Sequence, residues 1–136
     1  MDYLFLLHLH SGWRYIVLLM LLVSTVLLLV GWLTGGKWNK LVNGFSMFTP
    51  IVIDIQLLLG LVLWFGRPNV MGDSRFGGNI LEHVMTMLIA VVLGHVAAVR
   101  IKRAVDDGTK FQNGAIYFVL TGLVVSFAVA RVTGVL

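Results

Sequence analysis

YLFLLHLHSGWRYIVLLMLLVSTVLLLVGWL, residues 3–33, carries one formal charge, Arg14, and none from Tyr15 to Leu33. An apolar run of more than about 18 residues reads as a membrane-spanning helix rather than a buried core element. At 1.5 Å per residue the run extends about 46 Å, more than the ~30 Å of a hydrocarbon core, so its first turns tilt, lie in the interface or project outward. His8, His10, Ser11 and Arg14 occupy that outer part.

Three more stretches follow, at 45–65, 80–99 and 115–136, each with the ~20 residues a span requires. The whole chain is 59% hydrophobic over 136 residues with a mean hydropathy of +0.96, too apolar for a soluble domain of this size. These features predict an all-α integral membrane protein: one domain over 1–136, folded as a four-helix up-down bundle. No internal repeat or second domain is visible. Segment one has neither a basic leader nor a small-residue cleavage site, so it is expected to be part of the fold rather than a removable signal.

Lys37 and Lys40 lie in the first connection, and Arg100, Lys102, Arg103 and Lys110 in the third. The second holds only Arg67 and Arg75, with Asp73 and Glu82 nearby. The basic bias of the first and third connections places them inside and both termini on the outer side. The net charge of +4 is accounted for by topology and lipid contact, and nucleic acid is not an expected partner. With no cysteine, the chain cannot offer a thiolate to haem, attach haem covalently or hold an iron–sulfur cluster.

Ionisable groups inside spans are costly and mark function. With the amino terminus outside, His10 on helix one and His83 on helix three reach similar depth, as a bis-histidine b-type haem requires. Arg14 shares the His10 face and offers a partner to a haem propionate. Arg131, Arg67 and Arg75 are further candidates for that role, although Arg14 and Arg131 also suit snorkelling or a pair with Glu82. Gly94, eleven residues after His83, gives a small-residue groove suited to a flat ring or to plain helix packing. His8 lies about 200° around the helix from His10, so one of the two at most faces a given ring.

His95 is about 18 Å deeper than His83 and about 120° around the helix, and cannot share its iron. A second haem at His95 lacks a histidine partner on helix two, which offers Asp54 and Gln56 instead. Asp54 and His95 at matching depth suit a quinone-head or proton-relay pair, with Gln56 nearby. Trp13, Trp32, Trp38 and Trp64 fit an interfacial aromatic belt.

Through His8-Leu9-His10-Ser11-Gly12-Trp13-Arg14-Tyr15, Ile55-Gln56-Leu57-Leu58-Leu59-Gly60-Leu61 and Glu82-His83-Val84-Met85-Thr86-Met87-Leu88-Ile89, the chain resembles the small four-helix bacterial membrane proteins labelled cytochrome B. The resemblance implies a multi-pass protein of a bacterial inner membrane that binds haem b. In that family the position before Ile55-Gln56 is often His, whereas Asp54 stands here, so one outer haem is the carry-over. More distantly, the layout looks like the haem-b subunits of membrane oxidoreductases, which pass electrons between quinol and an external partner.

The expected function is therefore electron transfer, with quinone or a larger redox complex as partner. Two alternatives stand beside it: an accessory subunit of a membrane complex that binds quinone, lipid or pigment, and a proton-conducting protein using Asp54 and His95. No substrate-converting constellation is visible beyond the haem site.

Overall fold

A computed structural model describes residues 2–66 and 78–135. It contains four helices: α1 (Tyr3–Thr34), α2 (Lys40–Phe65), α3 (Gly78–Arg103) and α4 (Asp107–Val132). All four are long and apolar enough to cross a membrane. A helix satisfies its backbone polar groups within the segment, the condition hydrocarbon imposes on any span.

Caps explain where the boundaries depart from the hydropathy pattern. Helix α2 begins at Lys40, not at 45, because the Asn39 side chain accepts from the Val42 amide at 2.9 Å. Similarly, α4 begins at Asp107 rather than 115. Asp106 accepts from the Thr109 amide at 3.1 Å and from its hydroxyl at 2.6 Å, so Asp107 and Gly108 belong to the first helical turn rather than to a loop. Asn79 lies inside α3, since that helix starts at Gly78. Helix α1 stops at Gly35, whose φ of 65° lies in the left-handed region that glycine adopts without Cβ strain.

Most buried positions are spaced alternately by three and four, with Pro50 of α2 and Ala115 of α4 buried beside that series. Helix α1 buries Val17, Leu21, Ser24, Leu28 and Gly31, and α4 buries Phe111, Gly114, Phe118, Thr121, Val125 and Ala128. Such a seam keeps one stripe facing its neighbours along the whole length of a bundle. Each helix packs on its chain neighbours, and α4 closes the ring on α1. Cross-helix contacts fix antiparallel directions throughout: Trp13 with Val52, Gly94 with Pro50, Arg100 with Asn113, and Gly31 with Phe111. Both termini consequently lie at the end opposite the 35–39 and 104–106 connections.

At that second end Phe111 packs directly on Gly31, and its ring meets Trp38 edge-on at 5.0 Å. A Cβ on Gly31 would overlap the Phe111 ring, so Gly31→Leu is expected to cost about 1–3 kcal/mol through overpacking. At Gly122 an added Cβ meets nothing within 4 Å, and Gly122→Ala should be neutral. Reversible unfolding in detergent measures the contrast.

The Thr109 hydroxyl and amide hold the Asp106 carboxyl below the usual carboxylate range. Because the folded value is the lower one, the cap's contribution is present above an ordinary Asp pKa near 3.9 and disappears as pH falls through the lowered value. Hydrogen-exchange protection at Thr109 and Lys110 should fall over that acidic window, and Asp106→Asn should remove the transition.

Candidate functional site

Toward the terminal end, the stripe that makes the apolar core continues with different residues. On α1 it runs upward from Val17 through Arg14, His10, Leu7 and Tyr3; on α2 from Gln56 to Gly60 and Leu63; on α3 from Met87 to His83 and Ile80. Val125, Val129 and Val132 complete the wall from α4. Between them lies a cavity of about 260 Å³, close to the ~300 Å³ lower bound of ordinary small-molecule sites. The cavity is therefore the upper part of the bundle's own core.

Two cross-helix bonds set the height of His10. Trp13 Nε1 donates to the Val52 carbonyl at 2.9 Å, and Gln56 Nε2 donates to the His10 carbonyl at 3.1 Å. Lower on the same seam, Ser24 and Thr49 hydroxyls lie 2.7 Å apart, and Thr49 also donates to the Phe45 carbonyl at 2.7 Å. The role expected for Gln56 beside Asp54 and His95 is not the one observed. Its amide fastens α2 to the turn of α1 that carries His10, and the residue lines the cavity.

His10 and His83 come together: their ring centres are 6.3 Å apart and the planes are nearly perpendicular, at 88°. Gly60 gives the His10 ring its place, since a Cβ there would sit 3.1 Å from His10 Cε1. In both rings Nδ1 is buried and makes no hydrogen bond of good geometry, although the Gln56 backbone flanks the His10 ring and the Ala128 backbone flanks the His83 ring. Arg14 Nε and Gln56 Oε1 are likewise buried without a partner, and both residues line this cavity. Of the five such atoms among the described residues, four belong to cavity residues; the fifth, Ser46 Oγ, lies elsewhere.

The remaining expected residues are placed differently. His8 is exposed and does not line the cavity, two positions off the His10 stripe. Arg131 does not line the cavity either, and its guanidinium is held by Glu82 through bonds of 2.8 and 3.1 Å. This two-bond geometry occupies the charge that was a candidate for a propionate. Arg67 and Arg75 lie outside the described residues. Gly94 leaves room for no more than a methyl group, because a Cβ added there would meet Pro50 and Ile53 of α2 at 3.7–3.8 Å, too narrow for a flat ring.

His95 and Asp54 form a pair, with Nε2 2.8 Å from both carboxylate oxygens, on the outer face of the α2/α3 seam. Neither belongs to the cavity. Both sit beside the buried stripe rather than on it: Asp54 follows buried Ile53, and His95 follows buried Gly94. Among the described residues no three His, Cys, Asp or Glu side chains converge on one point.

No protein-family model, no curated protein and no solved structure matches the chain.

Gly60→Val is expected to push the His10 ring from its seat and break its approach to His83, whereas Gly12→Val, with open space around its Cβ, should leave both rings in place. Nuclear Overhauser contacts between the two imidazoles in detergent would report the difference.

Proposed function

We propose that the protein is a membrane b-type cytochrome in which His10 and His83 are the axial ligands of one haem. The supporting observation is the pair of imidazoles standing across a cavity whose polar wall atoms lack partners. Metal–imidazole bonds of about 2.0–2.1 Å, with ring nitrogens about 1 Å from centres given C–N bonds near 1.33 Å, put two imidazoles on one metal about 6 Å apart. The observed 6.3 Å agrees. An edge-to-face aromatic pair also falls in this distance range, and the unpartnered Arg14 Nε and Gln56 Oε1 on the cavity wall favour a ligand over simple ring contact.

When bound, haem supplies reversible one-electron chemistry. The chain's own residues do the rest. Burial of Nδ1 in each ring leaves Nε2 as the nitrogen available to the cavity, and a neighbouring backbone carbonyl is the usual acceptor that orients a ligating histidine. Arg14, whose buried Nε has no hydrogen-bond partner and whose guanidinium lies 5.2 Å from the Tyr15 ring centre, offers a cation to a carboxylate of the cofactor. Gln56 and Trp13 fix the turn that carries His10, while Val125, Val129 and Met87 exclude water from the cavity floor. Electron exchange takes place at the terminal end of the bundle, with lipid-borne quinone or a larger redox complex in the bacterial inner membrane.

Protein purified from haem-replete cells should show a Soret band and sharp α/β bands on dithionite reduction. His10→Ala or His83→Ala should each abolish the low-spin spectrum, and a full spectrum in the double variant would refute the assignment. In the wild-type background, Arg14→Leu should lower the midpoint potential by removing a cation from the cavity. Arg131→Leu should shift it less, because Glu82 already offsets that charge.

A further inference from the structure

On the outer face of the α2/α3 seam, the Asp54–His95 pair is only partly covered. Its side chains are 34% and 52% exposed, respectively. Asp54 lies 14 residues from the start of α2 and 11 from its end, about 21 and 16 Å, so headgroups at either surface are out of reach. Around the pair the outward face is apolar: Ile51 and Leu58 on α2, and Leu88, Val92 and Val99 on α3, are all exposed. A carboxyl in such a position is costly unless its hydrogen-bonding capacity is met.

Within one chain that capacity is only half used. Among the described residues the sole hydrogen-bond partner recorded for Asp54 is His95 Nε2, and for His95 it is Asp54. With one proton shared between Nε2 and the carboxyl, the imidazole keeps one further donor, Nδ1–H, and the carboxyl keeps lone pairs beyond those His95 uses. Lipid tails can satisfy neither.

We propose that two copies of this chain associate in the membrane through their α2/α3 faces, with His95 of each donating through Nδ1 to Asp54 of the other. Each copy presents one donor and one acceptor, so a two-fold axis pairs both at once with no other residue required. The result is a closed ring of two carboxyl and two imidazole side chains, each donor meeting an acceptor. Ile51, Leu58, Val92 and Val99 pack around it in place of lipid. A polar group shared between spans stabilises association where apolar packing competes with lipid. A small lipid-borne carbonyl compound would accept from Nδ1 but leave the carboxylate unchanged, which makes a second copy the better complement. The association does not depend on what fills the His10–His83 cavity.

The chain has no cysteine, so single labels can be introduced at will. Val105→Cys, at a 98% exposed position away from this face, carries donor or acceptor dye in liposomes diluted with lipid. Wild-type chains should show energy transfer above the random-collision level. Asp54→Leu alone and His95→Leu alone should both fall to that level. Mixing donor-labelled Asp54→Leu with acceptor-labelled His95→Leu should restore transfer, because one crossed bond survives only in the mixed pair. As a measurement that leaves the pair intact, Leu58→Cys or Val92→Cys should cross-link on oxidation, while Leu22→Cys on the α1 face should not. Random-level transfer by the wild type, full transfer by either single variant, no recovery in the mixture, or equal cross-linking from both faces would each overturn the proposal.

Discussion

Hydrocarbon offers a polar atom no water, and that constraint orders this molecule. Backbone groups meet it by forming four helices. Side chains meet it by finding one another across the seams: Ser24 with Thr49, Trp13 with the Val52 carbonyl, Gln56 with the His10 carbonyl, Glu82 with Arg131, and Asp54 with His95. Against that background the unmet groups carry information. Buried atoms of His10, His83, Arg14 and Gln56 lack partners, and all four residues wall one cavity.

The cavity is a continuation of the core rather than an addition to it. The same three-and-four spacing that buries Leu28, Leu21 and Val17 carries upward to Arg14 and His10, and the spacing that buries Ala97, Ala90 and Met87 carries to His83. A bundle that fills its lower half with Phe111, Phe118 and Ile101 turns its upper half over to imidazole, guanidinium and Gly60. Apolar packing below supports the site, and the Trp13 and Gln56 bonds set the relative height of α1 and α2 where His10 must meet the partner ring.

Much of this was legible in the chain, and the reasons are physical. Long apolar runs leave four spans as the reading, and depth arithmetic brings His10 level with His83 and Asp54 level with His95. What hydropathy could not mark were helix starts made of polar residues, since the caps at Asn39 and Asp106 extend α2 and α4 into stretches that score as loops. Gly60 went unremarked because a glycine within a span signals close approach without naming the neighbour. Its place four residues after Gln56, on the buried stripe, was the available clue. Arg131 and Gly94 were ambiguous for a related reason: one charge or one small residue suits a ligand and a packing neighbour equally, and only geometry showed Glu82 and Pro50 taking those places.

The account rests on the two imidazoles sharing one iron. Electron–nuclear hyperfine spectroscopy of the ferric protein, prepared with ring-¹⁵N histidine, tests that directly. The proposed haem site predicts couplings from two histidine nitrogens in a low-spin centre, reduced to one when either His10 or His83 is replaced by Ala. A centre with no histidine coupling, or with two couplings that survive loss of both residues, would contradict it.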